Sequence, residues 1–216
     1  MLQKRPAPHR GKNPLRRRQK TNPPEVKQMC GRYYIEIDDK ELEEITKKVQ
    51  ERLREEENQL TIKLAGEIFP SEIVPVQVGM DTFAPMKWGF SGFDGRALIN
   101  ARSETAHKKK IFADSLRERR CVIPASGYYE WQKTNGGKLK HRFYVPDRTL
   151  HLAGCWRLEG DAPVFVIFTR EAVGAARAVH ERMPVIIPGS RVNEWLCESP
   201  EVMRDAVTEL TVEAVA

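Results

Sequence analysis

Four well-separated positions in this sequence offer a thiol, an amide, a carboxylate and an imidazole. They are Cys30, Asn100, Glu130 and His180. A thiol or an amine can act as a nucleophile, while a carboxylate or an imidazole can move the protons. Each residue also has an ordinary structural interpretation, such as a turn amide, a surface acid or a core histidine. The residue types therefore indicate only that a nucleophilic site is available.

Three arginines lie close in sequence to these groups. Arg32 follows Cys30, Arg102 follows Asn100, and Arg182 follows His180. A guanidinium group can bind phosphate oxygens in a bidentate geometry, so this arrangement favours a substrate that carries phosphate. The distinctive residues fall into five clusters: 29–32 (MCGR), 86–90 (MKWGF), 100–105 (NARSET), 120–131 (RCVIPASGYYEW) and 180–184 (HERMP).

The remaining cysteines do not form a metal or disulfide pattern. Cys121, Cys155 and Cys197 are widely spread beside apolar residues, and the sequence contains no CxxC pair. We expect them to be reduced, buried thiols in a cytoplasmic protein. We predict no metal, because the sequence has no metal-ligand spacing. We predict no nucleotide cofactor either, because there is no glycine-rich phosphate loop.

The composition is that of a globular chain with a basic N-terminal segment. The protein has 216 residues, of which 40% are hydrophobic and 31% charged, and its net charge is +6. Residues 1–29 hold nine Lys/Arg and one acid, so the remainder, with 27 basic and 29 acidic residues, has a net charge of −2. No apolar run approaches the roughly 18 residues of a membrane helix, so we expect no membrane association.

We predict two regions, a disordered basic extension over 1–29 and a folded domain over 30–216. A basic extension is usually a solvated arm, although it could also bind nucleic acid through phosphates. Within the domain, the pattern predicts a strand from Arg32 to Ile37 and a helix that opens with a capping box at Asp38 and Glu41. A second helix is predicted from Ser103 to Arg119.

Short strands dominate the rest of the domain. They are predicted at 73–79, 82–90, 120–124, 128–133, 141–145, 150–156, 163–169 and 184–187, with short helices before His180 and over 190–196. The last ten residues alternate and predict a further strand. Many strands with few, unevenly placed helices favour an α+β fold around a largely antiparallel sheet.

The five clusters, in this order, resemble the SRAP family (SOS response-associated peptidases, also called abasic-site processing proteins). The resemblance spans about 29–197. It implies a barrel-like β core and a function in the DNA damage response on single-stranded DNA that contains abasic sites. In the family, the initiator methionine is removed, and the amine and thiol of the new N-terminal cysteine condense with the ring-opened sugar aldehyde. The product is a covalent thiazolidine, and the reaction can be reversed with lyase activity.

The resemblance also implies roles for particular residues. Cys30 is the nucleophile, Asn100 an amide beside it, Glu130 the proton shuttle, and His180 the group that helps to open the sugar. Contacts to DNA are implied for phosphate-binding arginines, a hydroxyl and two aromatic rings: Arg32, Arg102, Arg182, Thr169, Trp88 and Phe93. Trp88 has an alternative interpretation as a core residue.

Two features depart from the family pattern. Residues 1–28 precede Met29, so we expect either that the true start is Met29 or that the extension is cleaved, and we favour the first. The C-terminal segment also lacks the family's usual ending. Two alternative functions stay open: a thiol autopeptidase that releases the extension, and a non-covalent module that binds single-stranded DNA. We expect a monomer.

Overall fold

A computed structural model describes residues 30–55 and 60–215. The predicted basic extension over 1–29 lies outside the described residues. The strands are β1 (Arg32–Ile35), β2 (Gly66–Ile68), β3 (Ile73–Gly79), β4 (Thr82–Trp88), β5 (Phe90–Ser91), β6 (Ala97–Leu98), β7 (Asn100–Arg102), β8 (Arg120–Ala125), β9 (Gly127–Thr134), β10 (Gly137–Tyr144), β11 (Leu150–Glu159), β12 (Ala162–Glu171), β13 (Arg182–Pro184), β14 (Ile186–Ile187) and β15 (Thr211–Ala214). The helices are α1 (Lys40–Glu55), α2 (Ser103–Ala106), α3 (Lys110–Glu118) and α4 (Val192–Cys197), with short 3-10 turns at Gly174–Ala178, Gly189–Arg191 and Pro200–Asp205.

Five strands close into a barrel. The order is β12, β4, β3, β8 and β11, and β11 pairs back to β12. All of these pairings are antiparallel except that of β12 with β4, which makes the barrel mixed. Strand β12 also pairs with β7 in parallel and with β13 in antiparallel orientation. It therefore positions the two segments that flank the candidate site. The α+β domain with a barrel-like core is thus confirmed.

A second sheet packs against the barrel and has the order β15, β10, β9, β1 and β2, all antiparallel. Residues alternate between its two faces because successive side chains of a strand point in opposite directions. Tyr33, Tyr128 and Phe143 face inward and are fully buried against barrel residues such as Trp88. The ring centroids of Tyr33 and Trp88 lie 5.3 Å apart. Strand β15 confirms the strand predicted at the C-terminal end.

The helices differ from the sequence predictions in detail. The side chain of Asp39, rather than Asp38, accepts hydrogen bonds from the backbone N–H groups of Glu41 and Leu42 at the start of α1. Asp39 also accepts from Thr149 Oγ1, and this tertiary contact selects it as the cap.

The predicted helix from Ser103 to Arg119 is wrong as one continuous element. It breaks between α2 and α3, where Lys109 is extended. The run 107–110 consists of His and three Lys, which offer no apolar side chain to bury. The predicted strand over 82–90 is interrupted at Gly89, whose φ of 121° lies in the region that favours glycine. Within residues 30–55 and 60–215, no helix is long and apolar enough to cross a membrane.

Candidate functional site

The candidate site forms where the start of β1 meets the middle of β9. Glu130 points inward from β9, between the outward-facing Tyr129 and Trp131, and only 4% of it is exposed. The backbone nitrogen of Cys30 donates a hydrogen bond to Glu130 Oε1 at 2.6 Å. The Cys30 side chain is also buried. A thiol, its own backbone nitrogen and a carboxyl group thus meet in one enclosed place.

The electrostatics of this place suit proton transfer. Burial raises the pKa of the Glu130 carboxyl, while the nearby His180 charge and the hydrogen bonds from the Cys30 and Trp131 backbone oppose that rise. Burial also raises the pKa of the Cys30 thiol well above its usual range, and the Glu130 charge adds to this effect. The thiol therefore rests protonated beside a carboxyl group that holds its proton more tightly than an exposed glutamate does.

Asn100 fixes Cys30 from the other side. It lies on β7, which pairs in parallel with β12. Its Nδ2 donates to the carbonyl oxygen of Cys30 at 3.3 Å. Together with the contact of Glu130, this bond holds both backbone polar groups of Cys30.

His180 lies in the connection between β12 and β13. The backbone N–H of Arg182 donates to His180 Nδ1 at 3.1 Å. Nδ1 also lies 3.2 Å from the carbonyl oxygen of Arg182, so the backbone of Arg182 holds the ring in either tautomer. His180 is partly exposed, and its charge is close enough to lower the pKa of Glu130. The structure therefore brings Cys30, Asn100, Glu130 and His180 into one site.

Arg182 does not fit the predicted role of a phosphate clamp. Its side chain is only 10% exposed, and its two Nη atoms lie 2.6 and 2.8 Å from the two carboxylate oxygens of Glu104. Nη2 also donates to the carbonyl oxygen of Thr169 at 2.7 Å. Thr169 is itself fully buried, so its predicted contact with DNA does not fit either. Arg182 on β13 instead joins Thr169 on β12 to Glu104 in α2.

Trp88 cannot stack on a base in this structure. It is fully buried, and its Nε1 donates to the carbonyl oxygen of Ile99 at 2.9 Å. Its ring also stacks against Phe165, with centroids 6.3 Å apart. The alternative interpretation, that Trp88 belongs to the core, is the one that agrees with the structure.

The other predicted DNA contacts have accessible positions. Phe93 is fully exposed in the turn between β5 and β6, and Arg102 is exposed at the end of β7. Arg32 is partly exposed, with its guanidinium group 3.6 Å above the centre of the Phe69 ring and 2.9 Å from Glu67 Oε1. A phosphate at Arg32 would thus have to share the guanidinium group with Glu67.

Sequence reasoning did not find two features of the site. One is Glu104, the partner of Arg182. The other is Tyr128, whose buried hydroxyl has no hydrogen-bond partner within the described residues. Burial raises the pKa of Tyr128, and the charges of Cys30 and Glu130 add to the rise, which places the ring near both. The two-residue spacing of Tyr128 and Glu130 on one strand was the available signal.

The chain is similar to known proteins in both sequence and fold. The family profile described as SOS response associated peptidase (SRAP) matches residues 29–215. The chain belongs to the SRAP family. It is 34% identical over 109 residues to the abasic site processing protein YoaM of Bacillus subtilis, covering 47% of this chain and 48% of that protein. It is 29% identical over 134 residues to the abasic site processing protein HMCES of Xenopus tropicalis, covering 50% and 40%.

The SRAP chain thus spans about half the length of the curated relatives that it matches. Solved structures confirm the fold over a larger part. A protein from Bacteroides thetaiotaomicron superimposes with a TM-score of 0.68 at 18% identity, covering 85% of this chain and 92% of that one. A protein from Bordetella bronchiseptica gives a TM-score of 0.67 at 22% identity, covering 87% and 100%.

Proposed function

We propose that this protein processes abasic sites in single-stranded DNA by forming a covalent thiazolidine through Cys30. One observation carries the proposal: the backbone nitrogen of Cys30 lies 2.6 Å from the buried carboxyl group of Glu130, beside the Cys30 thiol. The names of the matched relatives support the choice of an abasic site as substrate.

The reaction needs a free amine on Cys30. Such an amine attacks the aldehyde carbon of the opened sugar, and loss of water gives an imine. The thiol sulfur then adds to the imine carbon, and the thiol proton passes to the nitrogen, which closes the five-membered ring. An α-amine has a pKa near 7.7–8.0, so a useful fraction is unprotonated at neutral pH. An internal cysteine has only an amide nitrogen, which cannot form an imine.

Glu130 is placed to shuttle protons in both steps. Its Oε1 already accepts from the nitrogen that becomes the amine, and its raised pKa lets it hold a proton closer to neutral pH. The protonated carboxyl can donate to the departing hydroxyl during imine formation, and the carboxylate can then take the thiol proton. The same transfers run backward when the crosslink reverses.

His180 and the exposed groups complete the proposal. His180 lies near Glu130 and is held at Nδ1 by the backbone of Arg182, and its imidazole can assist the opening of the sugar. Arg32, Arg102 and Phe93 are the predicted DNA contacts that keep an accessible side chain. Phosphate contacts position the strand, whereas stacking on an aromatic ring tolerates any base.

A second candidate activity is release of the N-terminal extension by Cys30. In this reaction the thiol adds to the carbonyl carbon of residue 29, the Cys30 nitrogen leaves as an amine, and water hydrolyses the thioester. The contact between Glu130 Oε1 and the Cys30 nitrogen favours this candidate, because the same carboxyl group can protonate the leaving nitrogen. It would also supply the amine for the crosslink.

The test compares proteins begun at Met1 and at Met29. Each is incubated with an oligonucleotide carrying one abasic site and, as a control, with the same oligonucleotide after borohydride reduction of the aldehyde. We expect a denaturant-resistant band only with the unreduced DNA and only from molecules whose intact mass begins at Cys30. A band from molecules that keep residue 29 would refute the amine mechanism. Loss of the extension from the Met1 protein, blocked by Cys30→Ala, would support the second activity.

A further inference from the structure

The candidate site contains a buried hydroxyl group that makes no hydrogen bond to the described part of the chain. It belongs to Tyr128, which is fully buried, and it has no partner within 30–55 and 60–215. Most buried polar groups in folded proteins are paired, because leaving one unpaired is destabilising. The Tyr128 hydroxyl can therefore form a hydrogen bond with a group that binds at the site.

Neighbouring strands fix the position of the Tyr128 ring. Tyr128 lies two residues before Glu130 on β9, so both side chains project to the same inward side of the strand. Its ring stacks on that of Phe143 on β10, with the ring centroids 4.6 Å apart and the ring planes 8° from parallel. On the other edge of β9, Tyr128 is the cross-strand neighbour of Tyr33 on β1. Because the ring is held between these neighbours, its hydroxyl group has a defined position.

The Tyr128 hydroxyl lies near the reactive groups of the site. Tyr128 belongs to the same buried cluster as Cys30. Burial raises the pKa of Tyr128 well above its usual range, and the charges of Cys30 and Glu130 add to this rise. A phenol whose pKa is raised from about 10 keeps its proton at neutral pH. Tyr128 can therefore donate a hydrogen bond beside the thiol and the carboxyl group without giving up its proton.

The first step of the proposed reaction places negative charge on an oxygen atom. When the Cys30 amine attacks the aldehyde, the nitrogen lone pair forms the C–N bond and the carbonyl π electrons move to the oxygen. Glu130 Oε1 contacts the attacking nitrogen at 2.6 Å, so the oxygen gains from a second donor. The amine proton then passes through Glu130 to the oxygen. The resulting hydroxyl group takes a further proton from Glu130 and leaves as water when the imine forms.

We propose that Tyr128 is a further catalytic residue, whose hydroxyl group donates a hydrogen bond to the oxygen on C1 of the ring-opened abasic sugar. This bond stabilises the negative charge on the oxygen while the Cys30 amine adds. It also holds the resulting hydroxyl group until that group leaves as water. The proposal rests on the proposed function, since it assigns a donor within the same reaction.

Tyr33 provides a matched control for the Tyr128 hydroxyl. It lies directly across from Tyr128, it is also fully buried, and its hydroxyl likewise has no partner among the described residues. Burial also raises the pKa of Tyr33, but the charge that adds to this rise is that of Glu72, outside the candidate site. Tyr33→Phe and Tyr128→Phe therefore remove the same atom from equally buried rings. They differ in whether that atom lies near Cys30 and Glu130.

The test compares both variants with the wild type, all begun at Met29 and shown by intact mass to begin at Cys30. The first measurement is the rate at which the denaturant-resistant band appears on an abasic oligonucleotide at saturating protein. The second is the affinity for two unreactive oligonucleotides. One carries a borohydride-reduced abasic site, which keeps an oxygen on C1 as an alcohol, and the other carries a tetrahydrofuran analogue, which has no oxygen substituent on that carbon. Thermal midpoints are recorded for all three proteins.

We expect Tyr128→Phe to slow the crosslink about 10²–10³-fold, the usual effect of losing one donor to a developing oxyanion. The ratio of the affinity for the reduced site to that for the tetrahydrofuran site should fall about 2–12-fold, the contribution of one neutral hydrogen bond. Tyr33→Phe should keep the wild-type rate and the wild-type ratio. The thermal midpoints of both variants should equal or exceed that of the wild type, because each loses a buried hydroxyl group that has no partner.

A crosslinking rate of Tyr128→Phe within about threefold of the wild type would overturn the proposal, because one oxyanion donor contributes far more. An unchanged ratio of the two affinities would overturn it too. Equal slowing in Tyr33→Phe would have the same consequence, because the effect would then come from the packing of the core. Failure of the wild type itself to crosslink would instead refute the proposed function, so the two failures are distinguishable.

Discussion

The ion pair of Glu104 and Arg182 gives an asymmetric stability prediction. Both carboxylate oxygens of Glu104 accept from Arg182, and the backbone N–H of Glu171 also donates to Oε1 at 3.2 Å. The Glu104 side chain is 46% exposed, whereas that of Arg182 is only 10% exposed. Removing the carboxylate therefore leaves a cation that water reaches poorly, while removing the arginine leaves an acid that water can solvate.

We expect Glu104→Gln to lower the free energy of unfolding by about 2–3 kcal/mol. Breaking a buried pair from one side costs about 3–5 kcal/mol, and the half-exposed carboxylate reduces that figure. Arg182→Met should cost less, about 1–2 kcal/mol, because it retains most of the buried stem and loses mainly the bond to the Thr169 carbonyl. Glu104→Gln should lower the thermal midpoint by about 4–12 °C in a domain of this size.

Denaturant unfolding of the two variants and the wild type measures this difference. The pKa of Glu104 is lowered, chiefly by the hydrogen bond from Arg182. A lowered folded-state pKa contributes stability above the ordinary value of 4.5 that is lost as pH falls through the lowered one. The stability gap between wild type and Glu104→Gln should therefore shrink in acid. If Arg182→Met were fully stable and instead lost affinity for single-stranded DNA, Arg182 would be a phosphate clamp after all.

Four further variants test other parts of the reasoning. Cys30→Ala should give no denaturant-resistant crosslink on gels while it still binds single-stranded DNA; a resistant adduct would exclude the thiazolidine. Glu130→Gln should slow crosslink formation and reversal about 10²–10⁴-fold in time courses. Because a raised pKa contributes stability that is lost as pH rises through it, the thermal midpoint of Glu130→Gln relative to wild type should increase with pH, and a flat difference would contradict this. Arg102→Ala should reduce the salt slope of DNA binding by about 0.7 without changing the thermal midpoint. Trp88→Phe should destabilise the fold by about 1–3 kcal/mol in denaturant, since it opens a cavity and removes one of the two hydrogen bonds that the Ile99 carbonyl accepts, but it should leave DNA affinity unchanged; weaker binding at full stability would restore its stacking role.

Local pattern was sufficient to predict much of the fold. Short β-rich segments bounded by Gly, Pro and Asn predicted β3 and most of β8, β9, β11 and β12, because such runs and the turn residues between them can be recognised locally. Closure of the barrel was not available from the residues alone and came only with the family resemblance. It depends on the parallel pairing of β12 with β4, which sets Val164 beside Lys87, 77 positions earlier in the chain.

The candidate site likewise combines residues that local sequence motifs predict with residues whose role depends on tertiary contacts. Cys30, Asn100, Glu130 and His180 could be named from types and motifs, and the structure brings them together. Arg182 and Trp88 are residue types that suit DNA binding equally well. Only their tertiary contacts show that both side chains are buried within the protein. Glu104 takes up the Arg182 guanidinium from 78 positions away, and the barrel buries the Trp88 ring. Whether a side chain is accessible to DNA depends on tertiary contacts that a local sequence pattern does not show.

The closing role of β12 has a consequence for synthesis of the chain. The barrel has no free edge once Ala162–Glu171 has paired with β4 and β11. Until this segment has left the ribosome, β4 and β11 present unpaired backbone groups. Such free strand edges can pair with other chains and cause aggregation. Products truncated before residue 162 should therefore be captured by chaperones or become insoluble, while full-length chains escape.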